Sequence, residues 1–390
     1  MAQHEESPLV SGGAAHAGIR ALKFGKDNGF RAELRRRVDE VLRSGGRRRR
    51  DCPQMYLKSA ILLTVFAGSY ILLVFFARNV WQGVGAAFLL MLSMAGIGFN
   101  IQHDGGHNAY SNRRWVNRLA AFTLDLLGSS SYYWRWKHAV IHHRFVNITG
   151  YDNDISLGAA GRMTPYQPHR PLHRWQHVYL WPLYAMDALK LQLLDDLRQL
   201  FKGGVGEHGV PRPHGWELVL FVTGKAMFVT WAFAIPLWFH PVWVVLLYYL
   251  LGTAVLGFTI VMVFLLPHCN SHASFPPPPG DGQIEVPWAE HQVRATLDFA
   301  RNNPVLTWVL GGLNYHREHH LFPTICHVNY PVIFPVVEQT CRDFGISCQE
   351  HPTFASGIAA HYRWLKRMGK AETAPPPTSP PDQSLSGQTT

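Results

Sequence analysis

Two pairs of long apolar runs divide the chain. The first pair covers about 56–77 (YLKSAILLTVFAGSYILLVFFA) and 80–100 (VWQGVGAAFLLMLSMAGIGFN), with only Arg78 and Asn79 between them. The second pair covers about 216–239 and 242–266 and turns at FHP, without a formal charge. At 1.5 Å per residue each run is about 30 Å long, enough to cross a bilayer core, and joins this short make each pair a helical hairpin. Residues 119–134 (LAAFTLDLLGSSSYYW) are too short and too polar to cross, so an interfacial or re-entrant segment is predicted. Residues 177–201 mix Trp181, Leu183, Leu193 and Leu197 with Asp187, Lys190, Asp195 and Asp196, the pattern of an amphipathic helix on a membrane surface. Lys225 conflicts with the third run and is expected to snorkel or to face a cavity.

These runs define a domain over 56–368. Residues 1–55 read as a polar, partly helical cytoplasmic tail, and 369–390, ending in PPPTSPPDQSLSGQTT, as a disordered proline-rich one. The N-terminus has no compact apolar signal sequence. A formal charge of +10 invites a nucleic-acid reading. The basic residues, however, gather beside the spans: Arg36, Arg37 and Arg47 to Arg50 precede the first hairpin, while both hairpin tips are nearly uncharged. Loop charge therefore excludes nucleic acid as the explanation and places both termini and the 101–215 segment in the cytoplasm. Five cysteines without a CxxC pair argue against a disulfide framework or a thiolate zinc site.

Histidine is over-used, with 22 in 390 residues, and most of the excess chemistry falls in three clusters. HDGGH places His103 and His107 four apart, HAVIHH supplies His138, His142 and His143, and NYHREHHLFP supplies His316, His319 and His320. Residues three and four apart share a helix face, so each cluster aims imidazoles at one point. Gly105 and Gly106 clear the first cluster for a metal or another helix. Two spans, an even number, separate the first two clusters from the third, so all three return to one side of the membrane. His268, ending the fourth run in LLPHCNSH, offers a ninth imidazole, and His272 a weaker tenth. His169, His208 and His361 read as surface or hydrogen-bonded residues, and His173 and His177 as interfacial ones. Imidazole-rich sets suit iron, zinc or copper. Eight or nine nitrogens exceed what one ion holds, which points to two metals and to oxygen activation on a lipid-soluble substrate.

The stretches QHDGGH, HAVIHHRFVNITGYDNDI, HCNSHASFPPP, EVPWAEHQVRATLDFARNN and LGGLNYHREHHLFPTICHVNYP resemble the membrane fatty acid desaturases, over most of 55–368. Around the third cluster the chain is similar to the bacterial branch described as linoleoyl-CoA desaturases. The resemblance implies an all-α integral membrane protein, with four transmembrane helices in two hairpins and a cytoplasmic helical cap holding a diiron site. It implies ligand roles for His103, His107, His138, His142, His143, His268, His316, His319 and His320. It also implies two ferrous ions, O2 as co-substrate, a fatty acyl substrate on CoA, carrier or lipid, and insertion of a cis double bond.

Electrons must come from a ferredoxin or a cytochrome b5-type donor with its reductase. Arg113, Arg114, Arg135 and Lys137 are candidates to dock it, or to meet anionic headgroups. Two departures stand out. Histidine occupies 316 where front-end desaturases commonly carry glutamine, and no HPGG haem motif of a fused cytochrome b5 is present. Carboxylates are expected to orient the imidazoles, with Asp104, Asp152, Asp154, Asp298 and Glu318 as candidates and Arg317 facing outward. Asn270 or Asn314 is a candidate to hold a water, and Trp134, Trp136 and Trp288 are candidates to line an acyl tunnel. A related lipid hydroxylase or acetylenase is the alternative. A metal transporter is remote, because Lys225 is the one charge deep inside the runs.

Overall fold

A computed structural model describes residues 22–280 and 282–371, so the proline-rich tail expected at the C-terminus lies almost wholly outside the described residues. Four helices are long and apolar enough to cross a membrane: Pro53–Phe76, Val80–Gly106, Trp216–Phe239 and Val242–Leu265. Proline opens the first of them, where its missing N–H costs nothing. Asn79 opens the second, its side chain accepting from the Gln82 amide. The hairpins meet at their tips, where His240 donates to the Val74 carbonyl and the Phe75 and Phe239 rings pack edge to face. Between helices, glycine permits close approach: a Cβ on Gly96 would come within 2.7 Å of Leu62, and one on Gly252 within 3.0 Å of Met91. Trp81, Trp238 and Trp243, all more than two-thirds exposed, ring the tips as an aromatic belt.

The second spanning helix does not stop at residue 100, where its apolar run ends. A π-helical stretch, Ile97–Gln102, carries it on to Gly106, so His103 sits within the helix and not beyond it. Hydropathy marks contact with lipid and says nothing about helix continuity. Asn100, Gln102, His103 and Asp104 are all buried under the other helices, and protein replaces the water that would otherwise end the turn.

At the opposite end from the tips the remaining segments form a helical cap. Arg114–Leu126 is only 13 residues long and does not cross, in accord with its composition. The 176–202 stretch is helical in four pieces and lies against the fourth spanning helix, with Leu180, Tyr184 and Ala188 buried. Lys225 faces protein: its ammonium donates to the Gly128 and Gln192 carbonyls and pairs with Asp196 at 2.6 Å.

Among the described residues of the partly helical tail expected over 1–55, helix Phe30–Ser44 is packed on the cap. Its Phe30, Leu34, Val38 and Leu42, at i, i+4 spacing, are buried against Ile333, Val337 and Cys341 of helix Tyr330–Asp343. The apolar stripe was present in the sequence, hidden among arginines. Short strand pairs stitch the cap, with Lys23–Gly25 parallel to Gln283–Pro287 and Asp298–Phe299 parallel to Glu350–His351.

Candidate metal centre

All nine histidines singled out above are buried and meet at the cap end of the four-helix bundle. His103 and His107 come from the end of the second spanning helix. His138, His142 and His143 come from a helix over 131–145 whose middle, Arg135–His142, is π-helical, as is frequent at functional sites. His316, His319 and His320 come from the six-residue helix His316–Leu321, and His268 from the turn after the fourth span. Gly105 and Gly106 admit neighbouring protein: a Cβ on Gly106 would come within 2.2 Å of the Trp134 ring, and one on Gly105 within 2.6 Å of helix Arg114–Leu126.

Ligand atoms of His103, His107, His138 and His319 lie within 4.8 Å of one another, as do those of His142, His268 and His320. His316 joins the second set, its Nε2 2.9 Å from that of His268. His143 lies between the sets, its ring 4.5 Å from His107 and 4.3 Å from His320. His272 is exposed and belongs to neither set.

The Nδ1 atoms explain how the rings are held. His142 Nδ1 lies 3.0 Å from both oxygens of Asp152, and His138 Nδ1 3.1 Å from Asp154. His320 Nδ1 faces the Gln292 amide oxygen at 3.0 Å and His319 Nδ1 the Tyr330 hydroxyl at 3.3 Å. The Ala295 and Leu313 carbonyls take His268 and His316. Each of these partners fixes a ring through Nδ1 and turns Nε2 inward. The Nε2 atoms of His103, His107, His138, His143, His319 and His320 are buried without a partner among the described residues. Orphaned, convergent imidazole nitrogens are the donor set a borderline transition metal takes, so the residues fit such an ion.

Burial pushes His107, His143, His268, His319 and His320 well below the ordinary imidazole range, and neighbouring imidazoles add to it. His316 is held down to about 3 by the same desolvation. Burial also opposes protonation of His142, but the Asp152 carboxylate outweighs it and raises that imidazole. The centre thus keeps most of its rings neutral and free to ligate.

Two of the five candidate carboxylates, Asp152 and Asp154, touch these imidazoles; the other three do not. Asp104 accepts from His327, at 3.0 Å from its Nδ1. Asp298 holds the start of the third histidine helix, accepting from the Arg317 amide at 3.0 Å and pairing with its guanidinium at 3.3 Å. Glu318 is fully buried, and neither oxygen has a hydrogen-bond partner among the described residues. Arg317 faces inward, 1 % exposed, because Asp298 and the Gln349 carbonyl draw its guanidinium into the cap. Asn270 spends its oxygen on a turn, accepting from the His272 and Ala273 amides, whereas the buried Asn314 side-chain oxygen has no hydrogen-bond partner among the described residues.

Trp134 lies 4.9–5.6 Å from the rings of His103, His107 and His138, while Trp288 sits under Arg31. Gln292, Tyr330 and His327 escaped sequence reasoning. The first two are marked by no spacing, and His327 stands seven residues past the third cluster as a lone histidine.

Buried imidazoles gathered at one end of four membrane-length helices define an integral membrane protein with a nitrogen-rich metal site. Residues 79–352 match the fatty acid desaturase family model, and the chain belongs to the membrane fatty acid desaturases. It is 38 % identical over 353 residues to an sn-1 linoleoyl-lipid 6-desaturase of Arthrospira platensis, covering 89 % of this chain and 94 % of that one. A second protein of that name, from Synechocystis sp., is 35 % identical over 90 % of this chain and 98 % of its own. An acyl-lipid (8-3)-desaturase of Physcomitrium patens is 35 % identical over 88 % of this chain and 72 % of its own. The protein is an oxidoreductase that desaturates fatty acyl chains.

Proposed function

We propose that the chain is an oxygen-dependent acyl-lipid desaturase that inserts a cis double bond into a linoleoyl chain, using two iron ions held by the nine histidines. The observation that carries the metal assignment is the convergence of six orphaned Nε2 atoms from the three boxes. The relatives' names carry the substrate assignment, at near full-length coverage. In this reading His103, His107, His138 and His319 hold one ion, and His142, His268, His316 and His320 the other, with His143 between them.

Bound iron supplies the activation of dioxygen. The chain's own residues do the rest. Asp152, Asp154, Gln292 and Tyr330 fix the imidazoles through Nδ1, so Nε2 lone pairs point inward. Burial keeps most of the rings unprotonated and excludes bulk water, which protects the reaction from solvent. Trp134 walls the first set on one side and is a candidate surface for the acyl chain. The arginines at Arg47 to Arg50 support a cytoplasmic cap, open on that side to a ferredoxin or a cytochrome b5-type electron donor.

Expression in a host supplied with linoleate, followed by mass spectrometry of its lipids, tests this. The expected product is a triene with a new cis bond at position 6, appearing first in intact lipids. An oxygenated product without alkene would move the protein to the hydroxylases. A triene formed first on CoA would overturn the lipid-carrier assignment.

A further inference from the structure

A second buried polar group lies beside the first set of histidines. Lys58 is a charged residue one turn inside the first spanning helix, yet it is 4 % exposed. A lysine at that depth costs free energy unless it is paired, so its partners are informative. Its ammonium sits 3.1 Å from His327 Nε2 and 4.9 Å over the Trp308 ring. His327 Nδ1 is 3.0 Å from Asp104, which also takes the His327 backbone amide at 3.3 Å.

The direction of these bonds follows from donor inventory. An ammonium has three donors and no acceptor, so His327 must accept at Nε2. The ring then carries its proton on Nδ1 and donates it to the Asp104 carboxylate. Lys58, His327 and Asp104 therefore form one line of buried hydrogen bonds with a cation at one end and an anion at the other. Ligand atoms of Asp104, Cys326 and His327 also lie within 4.8 Å of one another, the spacing of a cation site. Lys58 already supplies the positive charge there.

The line joins three elements that local sequence does not connect. Lys58 belongs to the first span, Asp104 follows His103 at the end of the second, and His327 stands behind the third box. Next to His327, the Cys326 amide donates to the Arg49 carbonyl at 2.8 Å, and Tyr330 three residues on meets His319. The result is a cross-brace between the first box and the third, at the place where the His103 and His319 rings come within 4.4 Å.

We infer that Lys58 and His327 are positioning residues: through Asp104 they hold the first histidine box against the third and so set the metal affinity of the His103, His107, His138 and His319 set. This rests on the metal assignment above. The test is a titration of the purified, full-length, metal-free protein in detergent with Co(II), followed by its visible absorption, alongside thermal melting.

The wild-type chain is expected to bind two ions. His327→Leu and Lys58→Met should weaken one of them by about 10–100-fold, the usual effect of losing a group that orients ligands, and leave the other unchanged. His327→Gln, whose amide can accept from Lys58 and donate to Asp104, should bind more tightly than His327→Leu. Wild-type affinity at both ions in His327→Leu and Lys58→Met would overturn the brace, and so would parallel loss of both ions with a lowered melting temperature. Failure of the wild-type chain to bind Co(II) would remove the metal assignment first, and the brace with it.

Discussion

Asp152→Asn is the sharpest test of how the second set of histidines is held. Both Asp152 oxygens lie 3.0 Å from His142 Nδ1; one also accepts the Asn147 amide and the other the Asp154 amide, each at 2.9 Å. All three neighbours are donors. Asparagine replaces one acceptor oxygen with an NH2 group, so whichever way the amide turns it faces a donor with a donor. A backbone amide is left unpaired, at about 1–3 kcal/mol of stability. His142 can meet the new NH2 only by shifting its proton to Nε2, the atom that must be free to ligate.

Metal affinity at the His142, His268, His316 and His320 set should therefore fall about 10–100-fold, or about 1.4–2.7 kcal/mol. The measurement is metal content by mass spectrometry after dialysis against graded chelator, with product formation assayed in parallel. Two ions retained at wild-type affinity, with wild-type turnover, would refute the argument that the carboxylate sets the tautomer.

Two further outcomes follow from buried groups away from the metal. Burial holds His291 and His361 down to about 4. The unfolded chain takes up their protons below about 6.5 while the folded one does not, so stability is full above that pH and falls between 6.5 and 4. Each ring should cost about 2 kcal/mol at pH 5, seen as a lowered melting temperature of the metal-free protein in detergent, and a flat profile from pH 7.5 to 5 would contradict this. Lys225→Met leaves Asp196 buried without its cation and the Gly128 carbonyl without its donor. A loss of about 2–3 kcal/mol is expected, allowing for partial exposure, with much of it restored in the double variant Lys225→Met, Asp196→Asn.

Much of the architecture was legible because it is written in local patterns. Length and hydropathy identify the four spans. Spacing of three and four groups the histidines, and counting spans returns the three boxes to one side. Each of these readings needs only neighbours within a turn or two, or a parity. The stripe of Phe30, Leu34, Val38 and Leu42 was equally local and was obscured only by the arginines around it.

What tertiary structure alone decided is which group answers which ring. Asp152 and Asp154 lie ten and sixteen residues from their imidazoles, but Gln292 reaches His320 across 28 residues and Asp104 reaches His327 across 223. Carboxylate and amide side chains carry no periodicity that names a partner, and a buried donor takes whichever acceptor the packing brings near. The same rule turned Arg317 inward and made Asp104 part of a brace. The sequence by itself determined which histidines would converge; only the packing of distant helices determined what holds each of them in place.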